Sequence, residues 1–133
     1  MNNKLLQSIK DLSLDQKFAV GNDLVFLPDF TASFNELFKK KIYTENEISY
    51  CDQFDDAMLR YASTWAAKEA VYKAIKQIET TSIPFKKIEI QREKSQGRPH
   101  VILHKNPNKF IISLTISHDG DYIWALALIE INP

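Results

Sequence analysis

Trp65-Ala66-Ala67-Lys68-Glu69-Ala70-Val71-Tyr72-Lys73 is the stretch around which the chain is organised. It lies in a run from Asp55 to Ile78 that is rich in alanine and large apolar residues and lacks Gly and Pro. The composition predicts one long helix. At about 100° per residue the apolar side chains point almost all the way round, the pattern of a buried helix. Met58, Ala62, Trp65, Glu69, Tyr72 and Lys76 share one line along it, and Lys73 follows Glu69 by one turn. Glu69, Lys73 and Lys76 therefore gather within roughly 60° of arc. On an exposed helix Glu69 and Lys73 would be an ordinary i,i+4 pair of small worth. Beside Trp65 and Tyr72, on a helix with little exposed face, such charges need partners. A metal ion on the carboxylate and a phosphate on the lysines would supply them.

The chain has 133 residues, 44% hydrophobic and 26% charged, which fits one soluble domain able to bury its own core. Seventeen basic and seventeen acidic residues cancel, so the bulk positive charge that nucleic-acid binding uses is absent. The single Cys51 rules out an intrachain disulfide and points to a reducing compartment. No apolar run approaches membrane-spanning length, and the first residues lack a signal-peptide pattern. A cytoplasmic protein is the expectation.

Leu5, Leu6, Ile9 and Leu12 have helical spacing, so residues 1–17 are expected to be a helical extension on a single domain spanning 18–133. Phe18 to Val25 reads as a strand. Asp23 is unusual in it, because aspartate is depleted in strands. It is either a turn residue beside Gly21 or a metal-binding carboxylate that Gly21 lets the backbone approach closely. Pro28-Asp29 opens a helix carrying Phe30, Phe34, Leu37 and Phe38, which ends in Lys39-Lys40-Lys41. Those lysines suit the helix dipole and could equally receive an acidic partner. Thr44-Glu45-Asn46-Glu47 has the form of a capping box.

Beyond Pro84 the pattern turns strand-like. Residues 85–92 and 101–103 flank a turn with a basic tip at 94–99, and Phe110 to Ile131 forms a hairpin about Asp119-Gly120. Helices in the first half and an antiparallel sheet in the second define an α+β fold. His100 and His104 lie about 13 Å apart on an extended strand and cannot share a metal. His118, ending a strand next to Ser117, is either a turn histidine or a phosphate donor or proton carrier. No P-loop, GxGxxG or GxSxG element occurs.

Together these segments resemble the holo-acyl-carrier-protein synthases, the small 4′-phosphopantetheinyl transferases. Val20-Gly21-Asn22-Asp23-Leu24-Val25 is similar to their Gly-x-Asp opening, and Trp65 to Lys73 to their Trp/Phe-x-x-Lys-Glu-x-x-x-Lys helix. Gly97-Arg98-Pro99 resembles their Gly-Lys/Arg-Pro turn, and Ile116 to Tyr122 their Ser-x-Ser-His stretch. All three glycines of the chain fall in these segments. Thr64 stands where many members carry arginine, Thr115 replaces the first serine, and Gln96 the usual asparagine.

The resemblance implies a 4′-phosphopantetheinyl transferase fold and a Mg²⁺-dependent reaction. Phosphopantetheine would pass from coenzyme A to a serine of an apo acyl carrier protein, leaving adenosine 3′,5′-bisphosphate. By the same resemblance Asp23 and Glu69 bind Mg²⁺, an ion suited to few carboxylates plus waters and phosphate oxygens. Glu69, Lys73 and His118 serve catalysis. Lys68, Lys73, Gly97, Arg98, Pro99, Ser117 and His118 contact coenzyme A. A homotrimer with sites between subunits is implied, with Lys39 to Lys41 meeting the carrier. The alternative is a non-catalytic module binding coenzyme A or a carrier protein. Asp23 and Glu69 together favour the enzyme, since a binder needs no metal pair.

Overall fold

The long helix around Glu69 forms at Ala57–Ile78 in the computed structural model, which describes residues 3–5, 18–92 and 98–133. In chain order the elements are strand β1 (Phe18–Phe26), helices α1 (Leu27–Ser33), α2 (Glu36–Ile42), α3 (Glu45–Asp52) and α4 (Ala57–Ile78), then strands β2 (Ile88–Arg92), β3 (Pro99–Leu103), β4 (Phe110–Asp119) and β5 (Tyr122–Ile131). Residues 3–5 are helical; the rest of the expected 1–17 extension lies outside the described residues, as does residue Gly97 with 93–96. Among the described residues, no helix is long and apolar enough to cross a membrane.

The α+β architecture is as read from the sequence, with two differences. The strands form two antiparallel sheets, one ordered β1-β5-β4 and a separate hairpin β2-β3. The single helix expected from Pro28 to Lys41 is two. It breaks at Phe34 and Asn35, both extended, and the Asn35 side chain accepts from the Phe38 N–H to start α2. An N-cap that satisfies a free amide competes successfully with helix continuation. The capping box forms as expected: the Thr44 hydroxyl accepts from Glu47 N, and the Glu47 carboxylate accepts from Thr44 N at 2.8 Å.

Alternation along the three-stranded sheet sorts its two faces. Ala19, Val25, Ile123, Ala125, Ala127 and Ile129 face inward and are buried. Against them lies α4, whose Ala66, Ala67, Ala70 and Ala74 are fully buried. Small residues on both sides bring helix and strand to backbone contact. Gly21 marks the closest point: a Cβ there would sit 2.0 Å from the Ala70 carbonyl oxygen and 2.6 Å from Ala74 N. The opposite face of the sheet is uncovered. Phe18, Val20, Leu24, Trp124 and Leu128 all stand exposed on it.

Candidate functional site

The α4–β1 contact at Gly21 fixes where Asp23 goes. Two residues further along β1, Asp23 returns to the inward face and meets the least buried stripe of α4. There Lys73 Nζ donates to Asp23 Oδ1 at 2.9 Å and to the Asn22 carbonyl at 3.2 Å, and lies 3.9 Å from Glu69 Oε2. The structure thus brings Asp23, Glu69 and Lys73 together. Lys76 is not part of the group; its ammonium turns to the Thr80 carbonyl.

Burial pushes the Glu69 carboxyl above the usual carboxylate range, and the neighbouring Asp23 charge raises it further, against the pull of Lys73. The Lys73 ammonium is held above its ordinary value, chiefly by its bond to Asp23. One ammonium between two facing carboxylates leaves negative charge in excess. The cleft in front of them is open, and Asp29, Ser33, Phe26 and Trp65 line it with Asp23 and Glu69. No cluster of three His, Cys, Asp or Glu able to hold a metal occurs among the described residues. Two carboxylates facing an open cleft fit Mg²⁺, which keeps several waters, and do not fit a metal needing a closed protein cage.

Lys68 requires a correction. It was expected at a phosphate, but its side chain is fully buried on the other side of α4. Its ammonium lies 2.8 Å from Glu47 Oε1 and donates to the carbonyls of Phe85 (2.9 Å) and Ile88 (2.5 Å). All three of its protons are used, so none remains for a ligand. Burial lowers its pKa, with the Glu47 carboxylate pulling the other way. Consecutive helix residues diverge by about 100°, so Lys68 and Glu69 must face apart. Glu47 was read only as part of a cap, yet it also accepts from Ile90 N at 2.8 Å and joins α3, α4 and β2. Its position three residues after Thr44 was the legible signal; its burial was not.

His118 and Ser117 are exposed at the end of β4 and fall on opposite faces. Ser117 pairs with Trp124 and His118 with Ile123 across β5. His118 shares the face of Asp23 but lies two strands across and two residues along, about 12 Å away. Arg98 and Pro99 line another depression, with Ser113, Thr115 and Ile116. Within one chain these groups are not assembled around Asp23 and Glu69. Of the three lysines on α2, Lys39 is engaged by Asp52 (3.9 Å), Glu36 (4.0 Å) and the Tyr61 ring. Lys40 and Lys41 are exposed on the same face as Leu37, which is 78% exposed. Thr64 is buried beside Cys51, its hydroxyl on the Arg60 carbonyl.

Comparison with known proteins gives a consistent result. The family model of the 4′-phosphopantetheinyl transferase superfamily matches residues 19–127. The chain is 39% identical over 117 residues to the fatty acid synthase alpha subunit hexA of Dothistroma septosporum, covering 82% of this chain and 7% of that protein. It therefore spans a small fraction of the length of such relatives. It is 31% identical over 120 residues to the holo-[acyl-carrier-protein] synthase of Wolbachia pipientis, covering 84% of this chain and 96% of that one. The ACPS–CoA complex of Chronobacterium ammoniagenes superposes with a TM-score of 0.74 at 27% identity, over 89% of this chain and all of that one.

Proposed function

This chain belongs to the 4′-phosphopantetheinyl transferase superfamily, and we propose that it transfers 4′-phosphopantetheine from coenzyme A to a serine of an apo acyl carrier protein. The observation that carries the reading is the junction of Asp23, Glu69 and Lys73, with Lys73 Nζ 2.9 Å from one carboxylate and 3.9 Å from the other. A carrier-binding module has no use for such a metal pair; phosphoryl transfer does.

Asp23 and Glu69 hold Mg²⁺, which when bound neutralises diphosphate charge in the leaving group. Lys73 moves from Asp23 to the diphosphate oxygens and stabilises the charge that grows there in the transition state. The serine oxygen forms a bond to the β-phosphorus of coenzyme A as the diphosphate bridge breaks. Adenosine 3′,5′-bisphosphate leaves with the bonding pair. The hydroxyl proton passes to a Glu69 carboxylate oxygen or to water in the cleft. Arg98, Pro99, Ser117 and His118 contact coenzyme A from a neighbouring subunit, since they lie far from Asp23 in their own. The uncovered apolar face of the sheet supports assembly, because a monomer would leave Trp124, Leu24 and Phe18 in water. A homotrimer built through that face is part of the proposal, as are cytoplasmic location and docking of the carrier at Lys40 and Lys41.

The test is mass spectrometry of an apo carrier incubated with the protein, coenzyme A and Mg²⁺. One phosphopantetheine should be added, and the addition should vanish with a chelator or with Glu69→Gln. A mass gain indifferent to both treatments would refute the assigned metal pair.

A further inference from the structure

We infer that Asp29 marks the acceptor side of the cleft and selects the carrier by charge, admitting a neutral or basic residue beside the target serine and disfavouring an acidic one. This rests on the transfer reaction proposed above. Asp29 stands exposed in the first turn of α1 and lines the same cleft as Asp23 and Glu69. Asp23 has Lys73 as its partner. Asp29 has no hydrogen-bond or ion-pair partner among the described residues, so its charge is spent on whatever enters the cleft.

Charge sorts the two substrates. Coenzyme A brings a diphosphate, which Lys73 attracts and an unpaired carboxylate repels. Lys73 reaches Asp23 from the Asn22 side, where it also holds the Asn22 carbonyl, whereas Asp29 lies in the opposite direction along the chain, beyond Phe26. The diphosphate therefore occupies the Lys73 side. Attack on phosphorus runs roughly in line, with nucleophile and leaving oxygen on opposite sides. The nucleophile, an uncharged serine hydroxyl, is left the Asp29 side. The segment that carries the serine then passes close to the Asp29 carboxylate, between Phe26 and Ser33. A like charge there is repelled at short range, whatever attraction Lys40 and Lys41 exert on the rest of the carrier.

The experiment uses one apo carrier in which each residue flanking the serine is made Asp, Asn or Lys in turn. kcat/KM is read by intact mass for the wild-type protein, Asp29→Asn and Asp29→Lys, and magnesium-dependent coenzyme A binding is measured for each. For at least one flanking position the wild type should modify the Asn and Lys forms about tenfold better than the Asp form. Asp29→Asn should erase the preference and Asp29→Lys reverse it, with coenzyme A affinity unchanged. The same preference in all three proteins would overturn the inference while leaving the transferase reading intact. Loss of coenzyme A binding in the Asp29 variants would assign Asp29 to the phosphate side and also overturn it. No mass gain for any carrier with the wild-type protein would instead remove the reading on which the inference rests.

Discussion

Gly21→Ala tests the geometry that creates the site. The added Cβ would lie 2.0 Å from the Ala70 oxygen, 2.6 Å from Ala74 N and 3.1 Å from the Ala70 carbonyl carbon. Every one of these is backbone inside a 22-residue helix, so no side chain can swing away. Gly21 does not have a positive φ; space alone demands glycine here. Bringing the shortest contact back to a tolerable 3 Å requires β1 and α4 to separate by about 1 Å. Overpacking of this kind costs about 1–3 kcal/mol. With 133 residues and about 2.1 cal/mol/K per residue, each kcal/mol lowers Tm by about 3.5 °C. A Tm loss of about 4–11 °C is expected. The same movement pulls Asp23 from Glu69 and Lys73, and a displacement near 1 Å in positioned groups costs about 100-fold in rate. Calorimetry and carrier modification by intact mass read the two effects separately. At a temperature where the variant remains folded, turnover should still fall by about two orders of magnitude. An unchanged Tm together with wild-type turnover would refute the claim that backbone contact at Gly21 sets the metal pair.

Other expectations follow from single contacts. Lys68→Met should cost about 3–5 kcal/mol, because it strands the Glu47 carboxylate in the core; Lys68→Met with Glu47→Gln should cost less than the two single changes added, and additivity by denaturant melts would deny the buried pair. Burial favours protonation of Glu89, but hydrogen bonds from Thr44 (2.7 Å), His104 (2.9 Å) and Asn46 outweigh it and hold the carboxyl below its usual range. Glu89 therefore contributes stability that is present above its unfolded pKa and lost as pH falls through the lower folded value; Thr44→Val should raise that folded value and make acid unfolding begin at higher pH, followed by circular dichroism. Trp124→Asp on the open sheet face should convert the proposed homotrimer to monomer in light scattering and weaken coenzyme A binding, whereas an unchanged mass would reject this face as the subunit contact.

The chemistry-bearing part of the fold was legible because it depends on local rules. The period of the Trp65–Lys73 stretch put Glu69 and Lys73 on one stripe, and that stripe is the least buried line of α4. The aspartate in a strand of apolar residues was a contradiction in local preference, and it is resolved by its ion pair with Lys73 across the strand–helix contact. Other features depend on contacts distant in sequence. Nothing near Lys68 announces Glu47, which lies 21 residues earlier on another helix. The two faces of the Ser117–His118 pair follow from strand alternation, but the family resemblance treats the residues as one motif and hides it. The break at Asn35 was available as a capping residue and was masked by the continuous aromatic spacing of Phe30, Phe34 and Phe38. The separation of β2-β3 from the larger sheet is a matter of tertiary packing, which hairpin signals do not encode.

The most direct measurement of the central claim is the intact mass of an apo acyl carrier protein after incubation with this protein, coenzyme A and Mg²⁺. The account predicts a gain of one phosphopantetheine on a single serine, abolished by chelation, by Asp23→Ala and by Glu69→Ala. Magnesium-dependent coenzyme A binding with no gain across a range of carriers would contradict it and make the chain a binding module.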